Sequence, residues 1–487
     1  MSSDEIAPET SRPLPLLLAL APIAALVAAL LGGVLTLGFT GELLFSTMLF
    51  ATAVAGAIGL TRGKSWDDIQ AETGRRLAEA LPAILILLSI GGLLSAWMFS
   101  GTIPLMVALG IDLINPQFMV LTAFLATALM STISGTSWGA AATIGVALMG
   151  AAEAMGLPLA PVAGAIVSGA YFGDKLSPIS DMSIVAAIGA KADLYTHVRH
   201  MLDTSLPPTL IALAAYVAVG FSSSAVGGEA MTNAVAVKGE LDALFDLGIA
   251  PAIPLAIAIV GIGLRGSPTL VIVLSSICAL AVGVAVQGFS VGAALTTFVN
   301  GFDISAMHGA TVPSEAAENL LNRGGIFSMA ETMLFIVAAF LFAGALEVCG
   351  ALKTLLRAML SMVRSAFGLV AATLAAGTVM VAMTSNGTVT SLIVGNLFRQ
   401  SYADRGLAPE NLSRAIEDSV AVVEPLMPWT VSALFMAGTL GVSTVDYFPW
   451  AIFCSLGPVF SLIFAAAYEF TGFGLKRLPA VRVASAT

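Results

Sequence analysis

Charge is what this chain has least of. Asp, Glu, Lys and Arg together make 10% of its 487 residues, while 58% are apolar. A typical soluble domain carries roughly 25% charged residues, and a water-exposed surface cannot be assembled from what remains here, so a soluble enzyme is excluded. Bases are the minority of the few charges: 20 Lys and Arg against 30 Asp and Glu leave a formal net charge of −10, so no basic face for nucleic acid is expected. Cysteine is confined to Cys278, Cys349 and Cys454, each in or beside an apolar run and without CxxC spacing. That removes a disulfide framework and leaves small core residues. Three histidines and no HExxH run remove a metalloprotease.

Apolar runs, by contrast, recur from Leu14 to Phe470, and mean hydropathy is +0.96. At about 20 residues per crossing the chain is expected to be an all-α polytopic membrane protein with roughly 10 to 13 crossings. Long runs without alternation exclude a transmembrane β-barrel. The expected organisation is a polar, acidic cytoplasmic tail over 1–13, a first membrane helix over 14–38 that is too long for a signal-peptide core, a transport repeat over 39–221, a connecting segment with membrane helices over 222–288, a second, inverted repeat over 289–475, and a tail over 476–487.

The repeat is read from two patterns. Thr61 to Glu79 carries Arg62, Lys64, Arg75 and Arg76, whereas Thr102 to Pro116 carries no Lys or Arg, which places the first segment inside and the second outside. In the second half the bias is reversed: Phe302 to Phe327 holds Arg323 alone, and the next connection holds Lys353, Arg357 and Arg364. Matching residues recur at a shift of about 250: Ser100-Gly101 with Cys349-Gly350, Gly135-Thr136 with Gly387-Thr388, Gly156-Leu157 with Gly406-Leu407, and Ser177-Pro178 with Met427-Pro428. Similar sequence with opposite charge bias is the trace of an inverted-topology repeat, whose interrupted helices and re-entrant hairpins bring the substrate to mid-membrane.

Four segments interrupt the apolar runs with glycine, proline, hydroxyls and acids: Ser131 to Gly139, Ser168 to Asp181, Met383 to Thr390, and Glu417 to Thr430. Unwound backbone at membrane depth is tolerated only where it is buried in protein or lines a wet cavity, and there its carbonyls and hydroxyls can ligate a small cation. An ionised Asp at mid-helix costs about 2.5 to 3.5 kcal/mol, which singles out Asp174, Asp181, Glu417, Asp418 and Glu424. A carboxylate buried without a partner favours its protonated form and can trade that proton for Na⁺. The hydroxyls and amide at the two tips, Ser134, Thr136, Ser137, Ser385, Asn386 and Thr388, with Ser177 at the first break, would supply oxygens. Lys175 would be a counter-charge or stand in for the cation in the empty state. His197 and His200 fall in the charged stretch Lys191 to Asp203.

Gly135-Thr136-Ser137-Trp138-Gly139, the run Gly173-Asp174-Lys175-Leu176-Ser177-Pro178-Ile179-Ser180-Asp181, Asp193 to Met201, Glu417-Asp418-Ser419, Pro428-Trp429 and Phe435 to Gly441 together resemble the NhaC-type Na⁺/H⁺ antiporter family, from about Leu43 to Phe470. The resemblance implies an inner-membrane secondary transporter of the broad ion-transporter superfamily, built from inverted repeats whose hairpin tips hold the substrate, with elevator-like movement in related folds. Na⁺ at Asp174, Asp181 and Asn386 is the expected metal site, with Na⁺ and H⁺ as transported ions and no other cofactor. Members of that family commonly read Asp-Thr-Thr-Asn where this chain has Asp181-Met182-Ser183-Ile184, and Thr-Gly-Asp-Gln where it has Thr384-Ser385-Asn386-Gly387. Asn386 offers an oxygen but carries no proton, and its tip also resembles those of Na⁺-coupled carboxylate carriers. The alternative is therefore Na⁺- or H⁺-coupled transport or exchange of a small organic acid or amino acid. Expected partners are the lipid bilayer, these ions, that organic substrate and a second copy in a homodimer. A G-x-S-x-G match at Gly135 to Gly139 does not make a serine hydrolase, because a nucleophile elbow needs a preceding strand and the run before it reads as a membrane helix.

Overall fold

The computed structural model describes residues 14–222, 228–304, 314–361 and 363–478. The expected tail 1–13, and the tail 476–487 beyond 478, lie outside the described residues. Among the described residues the structure is helical, with a single isolated β-bridge between Leu407 and Arg477. Two helices, α1 (Leu16–Leu37) and α2 (Gly41–Thr61), lead to α3 (Trp66–Phe99). The 34 residues of α3 reach about 51 Å at 1.5 Å per residue, longer than a hydrocarbon core of roughly 30 Å. Its polar first turns account for the excess. Ser65 and Asp68 close a reciprocal capping box there, and buried Arg76 bonds Glu72 at 3.0 Å and Glu347 at 3.1 Å. Glu347 is thus an interhelix ion-pair partner.

After α4 (Thr102–Leu113) the chain continues as α5 (Met119–Ser134), then α6 (Ser137–Ala140), a π-helical turn over Ala141–Gly145 and α7 (Val146–Ala154). It continues as α8 (Leu159–Leu176), α9 (Asp181–Ala190) and α10 (Leu194–Ser222). Next are α11 (Gly228–Leu244), α12 (Ala252–Gly263), α13 (Pro268–Ala285), α14 (Val291–Asn300) and α15 (Glu315–Leu321). Then come α16 (Ala330–Cys349), α17 (Ala351–Ser361), α18 (Ala366–Thr384), α19 (Gly387–Ala403), α20 (Pro409–Ser419), α21 (Val431–Leu440), α22 (Thr444–Tyr447) and α23 (Ile452–Thr471). Nine helices among the described residues are long and apolar enough to cross a membrane, or ten when the pair Pro409–Leu426 and Val431–Leu440, bent by 47°, counts as one span. This is a multi-pass membrane protein.

The backbone bends in step along the two halves. Left-handed residues occur at Gly101, Gly135, Gly156 and Lys191, and again at Gly350, Ser385, Gly406 and Gly441, a spacing of 249 or 250 residues. Helix α16 runs antiparallel to α3: Gly91 faces Gly325 and Met329, whereas Gly344 faces Thr73. Helices α5 and α8 instead run parallel at very close range. Gly169 lies on the backbone of Phe124 and Ala128, and Gly173 on that of Ala128 and Thr132, so a side chain at either glycine would collide with main chain. Small residues four apart permit this approach in a bilayer, where van der Waals packing and interhelical hydrogen bonds replace the hydrophobic drive. Ser131 Oγ donates to Ala170 O at 2.6 Å, and Ser177 Oγ to Thr132 O at 2.9 Å.

Candidate ion-binding site

The two hairpin tips share one local stereochemistry. Helix α5 stops at Gly135 (φ 68°), and Thr136 turns extended (φ −147°) so that its Oγ1 accepts from Gly139 N at 3.2 Å. Helix α18 stops at Ser385 (φ 52°), and Asn386 turns extended (φ −141°) so that its Oδ1 accepts from Val389 N at 3.1 Å. Each tip sets the carbonyl end of one helix beside the N–H end of the next, which presents both polarities of backbone at one point. The first break lies between Ser177, the C-cap of α8, and Ser180, the N-cap of α9. The second lies between α20 and α21 and contains the short turn Glu424–Leu426.

The tips and breaks meet at one cavity of about 680 Å³. From the first half it receives Ser134, Thr136, Ser137, Asp174 and Asp181, and from the second Ser385, Asn386, Thr388 and Glu424. Asp174 is 6% exposed, and its Oδ2 accepts from Ser137 Oγ at 2.8 Å. Asp181 is exposed at the first turn of α9. Glu424 is buried against Gly387, where a Cβ would lie 2.6 Å from its Oε2. The oxygen of Asn386 already serves as the cap of α19, with one lone pair left for a cation. Ser385 Oγ donates to Trp429 O at 3.4 Å, and Thr388 Oγ1 lies 3.9 Å from Met182 Sδ.

Four of the expected residues stand outside the cavity wall. Lys175 does not pair with Asp174; it forms a buried ion pair with Asp418 and lies 5.7 Å from the centre of the Phe453 ring. Asp418 also accepts from Ser461 Oγ at 2.6 Å, so its oxygens are engaged away from the cavity. Ser177 is taken up by the α5–α8 contact. Glu417, 1% exposed in the last turn of α20, has no hydrogen-bond partner on either oxygen among the described residues.

The wall also holds residues that sequence reasoning passed over. Trp138 stacks on Phe435, with centroids 4.1 Å apart at 15°, and Tyr171, Ser432 and Glu79 line the same space. Arg265 enters it from the α12–α13 turn with a left-handed backbone (φ 62°). A lone base between two apolar helices was the available signal for it. His197 and His200 are not part of a solvated charged face: they are 0% and 1% exposed.

A multi-pass helical protein whose interrupted helices gather carboxylates, hydroxyls and free backbone around one internal cavity is a secondary transporter. The chain belongs to the Na⁺/H⁺ antiporter family, whose model matches residues 5–193 and 169–467. It is 39% identical to an uncharacterized Na⁺/H⁺ antiporter of Haemophilus influenzae over 88% of this chain and 91% of that protein. It is 33% identical to the malate-2H⁺/Na⁺-lactate antiporter of Bacillus subtilis, covering 86% of this chain and 87% of the relative. To the Na⁺/H⁺ antiporter NhaC of Bacillus subtilis it is 32% identical, covering 85% and 90%.

Proposed function

We propose that the protein exchanges Na⁺ for H⁺ across the cell inner membrane, with Asp174 as the carboxylate for which the two ions compete. One observation carries this reading: Asp174 is buried where the tips and breaks meet, open to the cavity, while the neighbouring cation, Lys175, is held by Asp418. An ionised Asp174 therefore calls for a cation from the cavity, and a neutral one for a proton. Asp181, Glu424, Asn386 and the hydroxyls of Ser134, Thr136, Ser137, Ser385 and Thr388 complete the oxygen shell. The two halves act as inverted copies, a reading supported by the matched left-handed residues and the antiparallel run of α3 and α16. Glu79 on the cavity wall lies toward the Ser65 end of α3, which the positive-inside rule makes cytoplasmic, so the cavity faces inward. Proteoliposomes with an imposed Na⁺ gradient and an internal pH dye test the exchange directly: Na⁺ should move the internal pH with no organic solute present.

A second reading rests on cavity size. About 680 Å³ far exceeds a bare cation and falls in the range of organic-ligand sites, roughly 300 to 1,000 Å³. Arg265, Trp138 and Tyr171 offer a base and aromatic faces, and one relative's name pairs malate with lactate. On this reading the carboxylates couple Na⁺ or H⁺ to a small organic acid or amino acid. Vesicles silent to Na⁺ alone, but active once malate, lactate or an amino acid is added, would select it.

A further inference from the structure

The far end of the first hairpin is tied to a loop that is itself built onto α3. Between α15 and α16 the chain crosses α3 near Gly91 and Ser95. Gly325 N donates to Gly91 O at 2.7 Å, Phe302 N donates to Arg323 O at 3.1 Å, and a Cβ at Gly324 would lie 2.5 Å from Ser95 N. Gly324 and Gly325 are left-handed, with φ of 81° and 91°, so main-chain contacts fix the backbone that carries Arg323. From there its Nη2 donates to Glu153 Oε1 at 2.5 Å. Glu153 lies in the last turn of α7, which places the pair about 25 Å of helix beyond the tip at Thr136, at 1.5 Å per residue.

This pair lies away from the cavity mouth. Along α3, Gly91 stands about 18 Å beyond Glu79, toward the end that the scarcity of bases from Phe302 to Phe327 makes external. The other contacts of α7 there are small and apolar: a Cβ at Gly150 would lie 3.1 Å from Val107 and 3.7 Å from Leu320, and one at Gly110 would lie 2.8 Å from Ala151. Apolar contacts are non-directional, so the ion pair is what selects one position of α7 against the loop. The Glu153 side chain is 19% exposed and that of Arg323 40%, and Glu153 Oε2 is buried without a hydrogen-bond partner among the described residues. The carboxylate thus depends on Arg323 in this position, yet both groups lie near enough to water to be hydrated once they part.

We propose that Glu153–Arg323 is the outer latch of the transport cycle: it holds the outer end of the first hairpin to the α3 loop while the cavity opens to the cytoplasm, and it parts when the hairpin moves to open the cavity outward. The latch rests on the transport reading above, in which one site must face the two sides in turn.

The test reads which side the cavity faces, whatever ion it carries. In a cysteine-free background of the full chain, Met182→Cys places a thiol on the cavity wall, and a membrane-impermeant maleimide is added to right-side-out and to inverted vesicles. Arg323→Gln should raise the outside labelling rate about threefold or more and lower the inside rate, because losing a partly buried ion pair shifts the balance between the two states. Lys238→Gln breaks the Lys238–Asp112 pair at 2.6 Å, which joins α11 to α4 and not to the hairpin, and should leave both rates within about twofold of the parent. Unchanged rates in Arg323→Gln, or an equal rise in Lys238→Gln, overturn the latch. If Arg323→Gln does not insert, cross-linking decides. A protein carrying Glu153→Cys and Arg323→Cys, joined by a cleavable bifunctional thiol reagent, should stop exchanging Na⁺ for H⁺ and resume on cleavage, and a joined protein that still exchanges overturns the latch. Wild-type protein without Na⁺-driven H⁺ movement overturns the exchange reading, and the labelling rates still decide the latch for the solute that the cavity carries instead.

Discussion

Lys175 and Asp418, 243 residues apart in the chain, are joined in an ion pair whose side chains are 1% and 0% exposed. The pair ties the last turn of α8 to the last turn of α20, immediately beside the two breaks. Removing one partner from a buried pair costs about 3 to 5 kcal/mol, whereas replacing both by apolar groups of similar volume costs far less. Lys175→Met and Asp418→Leu should each lower the melting temperature of the detergent-solubilised protein strongly, and the double variant should recover most of the loss. Equal or additive losses in all three would mean that the pair is not what holds the breaks together.

That pair also marks where sequence reasoning stopped. The interruptions were legible, because glycine, serine, asparagine and proline inside apolar runs have few other uses, and Gly135-Thr136 and Asn386-Gly387 do form the tips. Of the five acids singled out from sequence, Asp174, Asp181 and Glu424 line the cavity, whereas Glu417 and Asp418 stand outside it. The directions of individual side chains were not legible: Asp174 and Lys175 are neighbours in sequence but point to different surroundings, and no spacing rule joins Lys175 to a residue 243 positions away. Nor did composition separate His197 and His200 from the exposed Arg199 between them. Arg265 was passed over because the α12–α13 turn lies between helices that look like ordinary membrane spans.

The α5–α8 contact makes a second prediction. A methyl at Gly173 would press on the Ala128 carbonyl and the Thr132 amide, which are main-chain atoms and cannot swing aside. Gly173→Ala should cost about 1 to 3 kcal/mol, and Gly173→Leu should abolish a folded detergent-stable form by size-exclusion chromatography. A Gly173→Leu protein that elutes and melts like wild type would contradict the parallel packing.

Orientation makes a third. In a cysteine-free background, cysteines at Ser65 and Ser365 should label only from the cytoplasmic side, and those at Leu109 and Ser314 only from outside. Ser65 and Ser314 on the same side would remove the inverted-repeat account, whatever the transport activity.

Arg265 separates the two transport readings. If the cavity carries only inorganic ions, Arg265→Gln should leave Na⁺-driven H⁺ flux within about twofold of wild type. If an organic carboxylate is transported, the same change removes the base at its binding wall. Its apparent affinity should then fall by about tenfold or more, the scale of a charge-assisted hydrogen bond of roughly 1.5 to 3 kcal/mol.

The most direct test of the central claim is the pH dependence of Na⁺ affinity in Asp174→Asn. The substitution keeps the size and hydrogen-bonding capacity of the side chain and removes its charge and its titratable proton. In wild-type proteoliposomes the apparent Na⁺ affinity should weaken as pH falls, because H⁺ and Na⁺ compete for one carboxylate. In Asp174→Asn, coupled Na⁺/H⁺ exchange should be lost while the protein still inserts and elutes as a folded species, and any residual Na⁺ binding should be independent of pH. A folded Asp174→Asn protein that exchanges Na⁺ for H⁺ with the wild-type pH profile would contradict the account.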